Sequence, residues 1–72
     1  MNDSRNQLAK IRQYSKVLKT MRKSRELIAK TDCQRDVTLE QVTAEILGRI
    51  DINIMVIEQR MNLISRQMMT AA

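Results

Sequence analysis

Apolar positions recur along this chain at helical spacing in two long stretches, with a short polar break between them. In the first stretch Leu8, Ile11, Tyr14, Leu18, Met21 and Ile28 follow at intervals of three, three, four, three and seven residues. Such intervals keep side chains on one side of a helix that turns once every ~3.6 residues. The interval of seven arises because Arg25 occupies the position where an apolar residue is due. In the second stretch Leu47, Ile50, Ile54, Ile57, Met61, Ile64 and Met68 alternate steps of three and four without a miss. A seam of that regularity calls for a facing helix packed knobs into holes.

Local signals set the boundaries. Ser4 and Gln7 have the spacing of a capping box, in which each side chain satisfies an orphan backbone N–H, and predict a first helix over about 4–30. The polar run Thr31 to Val37 reads as a loop over 31–37, although it contains neither glycine nor proline. Thr38 and Gln41 repeat the capping-box spacing, and Val37 and Val42 stand where a hydrophobic staple would close, so the second helix is expected over about 38–69. A connection of this length joins antiparallel neighbours, and at ~1.5 Å per residue the two helices match in length. The expected fold is all-α: one domain over 1–72, an antiparallel two-helix hairpin whose seam is the two stripes.

The second helix is apolar on more than its seam. Val42, Ile52, Met55, Val56, Leu63 and Met69 lie on other faces, and a helix apolar nearly all round is one that becomes buried. One amphipathic partner helix cannot cover both sides, so these six residues are expected to bind a partner. Flexible, polarisable methionine suits adaptable contact surfaces, which fits Met55 and Met69; Met61 and Met68 read as seam filling. Gly48 sits mid-helix off the seam, where it costs roughly 1 kcal/mol relative to alanine. It either permits close approach of another helix or marks a slight bend.

Composition sharpens this picture. The chain has 72 residues, no proline, one glycine, one aromatic residue and no histidine. A monomer this small is marginal without a staple. Cys33 is the one cysteine, so neither an internal disulfide nor an ordinary zinc site is available. Oligomerisation remains, and the hairpin is expected to be completed by dimerisation or by a partner helix into a bundle. Cys33 itself reads as incidental, or as a thiol that cross-links a dimer under oxidation.

Charge is unevenly spread. Residues 1–35 carry ten basic groups against three acidic ones and residues 36–72 three against five, which together make the net +5. On the first helix Arg12, Lys16, Lys19, Lys23 and Lys30 form a basic ridge opposite the apolar stripe, flanked by Lys10, Arg22 and Arg25. The ridge reads as a solvated face, as a surface for an acidic protein, or as a phosphate contact. A lack of aromatic residues for base stacking weighs against nucleic acid.

No constellation for catalysis is present: no histidine, no glycine-rich phosphate loop and no Cys/His pair. The run RIDINIMVIEQRMNLI, Arg49 to Ile64, resembles the first long helix of the helical chorismate mutases in its I-D…R-M pattern. It covers under a quarter of the chain. Asp51 and Arg60 stand one residue closer than in that pattern, and two further helices would be needed after this one. The likeness reads as shared coiled-coil patterning.

The expectation is therefore a small helical protein–protein interaction module (a subunit, adaptor or chaperone-like factor), not an enzyme. It needs no cofactor, metal, membrane or small-molecule substrate, and its partner is another protein, itself or both. The alternative is a small basic regulator that binds DNA or RNA as a dimer through the first helix. With no secretory signal at the polar start, no apolar run of ~18 residues and a lone cysteine, a cytoplasmic location is expected.

Overall fold

The computed structural model describes residues 3–70, with side chains from Arg5 onward. It contains two helices, α1 (Asp3–Ala29, 27 residues) and α2 (Val37–Thr70, 34 residues), and no strand among the described residues. They form an all-α hairpin. Three contacts fix its direction and register: Cys33 with Thr43, Arg25 with Asp51, and Arg22 with Glu58. Each step back along α1 is matched by a step forward along α2, so the helices run antiparallel. The level of Leu18 on α1 meets that of Ile57 and Met61 on α2.

A line of contact between two helices buries little. Leu18, near the middle of α1, is the one buried apolar residue among those described, at 6% exposure. Ile11, Tyr14, Met21 and Ile28 of α1 are half-buried, as are Leu47, Ile50, Ile54, Ile57, Met61, Ile64 and Met68 of α2. Each of them meets one facing helix and stays open on its far side. Where Arg25 interrupts the apolar spacing, its neighbour Ser24 is the half-buried residue, and Arg25 reaches across to α2 instead.

The molecule is elongated, 56 × 15 × 12 Å with a radius of gyration of 16.7 Å, against about 11 Å for a compact domain of this length. Its solvent-accessible surface is 6268 Å², whereas a compact monomer of this mass exposes about 4,600 Å².

Three local expectations are corrected. Leu8 is 43% exposed and Gln7 takes the half-buried position instead. The alternating steps of the seam, Ile11, Tyr14, Leu18 and Met21, extend back by four residues to Gln7, so Leu8 is turned ~100° aside from α2. The cap of α2 is Asp36, not Thr38: the Leu39 N–H donates to Asp36 Oδ1 at 3.1 Å and the Glu40 N–H to the Asp36 carbonyl at 2.9 Å. An aspartate both caps well and carries the negative charge a helix start favours. With the start moved back, Val37 becomes the first helical residue and the Val37–Val42 staple loses its geometry; both are exposed. The Ser4–Gln7 capping box depends on the Ser4 side chain, which lies outside the described residues.

The connection turns without glycine. Asp32 Oδ1 accepts the Gln34 N–H at 3.0 Å, and the Cys33 carbonyl accepts the Asp36 N–H at 2.8 Å. Between them Gln34 and Arg35 adopt φ of 49° and 64°. Two consecutive left-handed residues are the mark of a type I′ turn, usually filled by Asn and Gly, and side chains there cost roughly 1–2 kcal/mol each.

Candidate interaction surfaces

With the seam closed, each helix keeps an outer face, and the two differ in kind. On α2, Ile52, Met55, Val56 and Leu63 are all half exposed, between 50% and 57%. At ~100° per residue they fall on the side of α2 facing away from α1. The structure thus gathers four of the six residues expected to bind a partner. The other two stand apart: Val42 is on one flank near the loop, and Met69, 80% exposed, is on the other flank at the far end. The outer face is not flat, since Gln59, Asn62, Leu63 and Arg66 line a shallow open depression. Gly48 also lies on this side, and a Cβ built there would meet nothing within 4 Å. Gly48 therefore serves no contact within the hairpin.

A second exposed apolar group lies outside the set expected from the sequence. Leu39 and Ile46, with Val42 between them, are exposed on the first turns of α2. There the facing chain is the loop and no longer α1. The sequence does carry a signal for it, because the steps of three and four leading into the seam already begin at Leu39.

On α1, Arg12, Lys16, Lys19 and Lys23 are exposed on the side turned away from α2. None of them joins an ion pair among the described residues. Lys30, expected at the end of the ridge, lies just beyond α1 and pairs with Glu26 at 2.9 Å. Two of the flanking bases are drawn inward across the hairpin. Arg22 approaches Glu58 at 3.7 Å. Arg25 makes a side-on pair with Asp51, Nε to Oδ1 at 2.5 Å and Nη2 to Oδ2 at 3.4 Å. The hydrogen bond from Arg25 holds the Asp51 carboxyl below its ordinary range, and the Arg25 guanidinium is raised in turn by the hydrogen bond and charge of Asp51. Part of the charge asymmetry between the halves is thus used in pairing the helices. Asp51 and Glu58, one heptad apart on one flank of the seam, are the sequence signal for it.

Asp51 and Arg60, which carry the resemblance to the chorismate mutase helix, do not converge. Nine residues apart on one helix they point about 180° from each other, and Asp51 is taken up by Arg25. The Cys33 thiol, half-buried, lies 3.7 Å from the Thr43 hydroxyl, which itself donates to the carbonyls of Leu39 and Glu40. The thiol thus fastens the loop to the start of α2. No group of three or more metal-ligating side chains occurs among the described residues, and no helix is long and apolar enough to cross a membrane. No family model, curated protein or solved structure matches this chain.

Proposed function

We propose that this chain is a small helical interaction module that buries the outer face of α2 against another polypeptide. One observation carries the reading: among the described residues the hairpin buries a single side chain, Leu18, while Ile52, Met55, Val56 and Leu63 stay half exposed on one face. The surface in excess of a compact monomer, on the order of 1,600 Å², is about twice the ~800 Å² that each partner buries in a standard protein interface. Exposed apolar area is driven to leave water at ~25 cal/mol per Å², so a face of this kind is complete only when covered. The module is a subunit, adaptor or chaperone-like factor and not an enzyme; its one thiol, Cys33, suits the reducing cytoplasm.

A second reading rests on the ridge of Arg12, Lys16, Lys19 and Lys23, which is without ion pairs among the described residues: a basic regulator that holds DNA or RNA phosphates along α1. A photo-reactive residue placed at Leu63, and in a separate chain at Lys16, tests both inside cells. Protein adducts at position 63 and few at position 16 are expected. Nucleic acid adducts at position 16, with none of any kind at 63, would replace the first reading by the second.

A further inference from the structure

Several residues along the outer face of α2 suit one another when the stripe is laid antiparallel against itself. From loop to C-terminus the face presents Glu45, Gly48, Ile52, Met55, Val56, Gln59, Leu63 and Arg66, all exposed. Their positions are symmetric about a point between Met55 and Val56. Glu45 and Arg66 are equally far from that point, as are Gly48 and Leu63, and Ile52 and Gln59. Such spacing belongs to any helical face; what a twofold contact between identical chains requires is that the paired residues complement each other, because residue i then meets j while j meets i. The ends carry opposite charges, and the next pair inward matches the smallest residue with a large apolar one.

Resting on the interaction reading above, we infer that the occupant of this face is a second copy of the chain. The two α2 helices lie antiparallel, with the twofold axis passing between Met55 and Val56. In that register Glu45 of each protomer lies level with Arg66 of the second copy, at both ends of the contact. Leu63 of the second copy comes over the gap at Gly48, where the absent Cβ leaves open space. Met55 and Val56 pair at the apolar centre, and Ile52 beside them lies level with Gln59 of the second copy. An acidic partner is disfavoured at this site, because the stripe itself bears one acid and one base.

The charge of the chain does not oppose this arrangement. Back-to-back α2 helices put the α1 ridges on the two outermost edges, three helix spacings of ~8–10 Å apart. At roughly 30 Å they lie beyond the ~10 Å screening length of ~0.1 M salt. The assembly is a four-helix layer in the order α1, α2, α2, α1, and it adds a second side of contact to α2.

Sedimentation of the full chain and of charge-swapped variants tests the inference. The natural chain is expected to be a dimer at micromolar concentration. Glu45→Arg sets two guanidinium groups against each other at both ends of the contact, and Arg66→Glu sets two carboxylates there. Each variant alone is expected to dimerise at least tenfold more weakly. Mixing the two restores opposite charges at both ends of the contact, since one end then pairs the two introduced groups and the other the two natural ones; such mixed dimers should outnumber both parents. The double variant also recovers. A natural chain that stays monomeric at 100 µM overturns the second copy. It leaves the broader reading to the cross-linking at position 63, which still detects a different protein there. A dimer indifferent to both single reversals, or a mixture no tighter than its components, overturns the antiparallel register and with it the inference.

Discussion

The two helices of this hairpin face each other through equivalent stripes, yet turn opposite kinds of surface outward. The outer side of α1 carries Arg12, Lys16, Lys19 and Lys23; the outer side of α2 carries Ile52, Met55, Val56 and Leu63, each half exposed. Lysine and arginine heads are well hydrated, and water completes the first surface. The second loses free energy for as long as it stays wet. On the proposed reading, the difference means that α1 needs one neighbour, while α2, with two apolar sides, takes two. The proposed association is compatible with the net charge of +5, because the basic ridge is on α1 and away from the outer face of α2.

The contrast can be broken most forcefully with one charge on each side of α2. Ile57→Asp puts a carboxylate into the seam and is expected to unfold the hairpin, at a cost of several kcal/mol. Leu63→Asp, on the outer face, should keep most of the helical signal in circular dichroism while the sedimenting species falls to the monomer. Equal loss of helicity from both would mean that the two sides are equivalent and the contrast is false.

A smaller effect is expected from reversing Lys16, Lys19 and Lys23 together to glutamate. Helicity and the dimerisation constant at about 0.15 M salt, where exposed charges are screened within ~8 Å, should stay within a few-fold of the natural chain. Exposed charges contribute only ~0–1 kcal/mol each, and the ridge faces away from both contacts. Loss of helicity would show that α1 depends on its outer face after all. If the ridge holds phosphates, the same variant loses affinity for any DNA duplex regardless of sequence, and the salt dependence of binding flattens.

The least effect belongs to the pair that ties the faces together, Arg25 and Asp51. Because the Asp51 carboxyl titrates below its ordinary value of 3.8 in the folded chain, its contribution to stability is present above that value. It is lost as pH falls through the lower folded value. Thermal melts from about pH 5 down to about pH 2 should therefore show a drop that Asp51→Asn lacks, with the two chains converging at the acid end. Parallel melting curves across that window would show the pair to be energetically silent.

Much of this architecture is legible in the sequence because helical periodicity is a local property. The steps of three and four mark which side of each helix is apolar, whatever lies beside it. The break at 31–37 announces a reversal through polarity alone, although the chain turns it with Gln34 and Arg35 in left-handed conformations that no glycine signals. The departures fall at the ends of elements. Thr38 and Asp36 can both cap, and the choice depends on where the chain leaves the turn; there Asp36 is positioned by its N–H to the Cys33 carbonyl. Leu8 keeps helical spacing with Ile11, but so does Gln7, and which of the two faces the seam is decided by how α1 is turned against α2.

By itself the sequence determined two helices, their apolar sides and the surplus of apolar residues on the second. These follow from the period of a helix, which any stretch of the chain expresses without its neighbours. Register belonged to the tertiary structure. Only with α1 against α2 do Arg22 and Arg25 find Glu58 and Asp51, and only then are Ile52, Met55, Val56 and Leu63 separated from Val42 and Met69 as one outward face. Burial is a relation between elements: a helix specifies what it would bury, and the element that comes to lie against it decides what stays exposed.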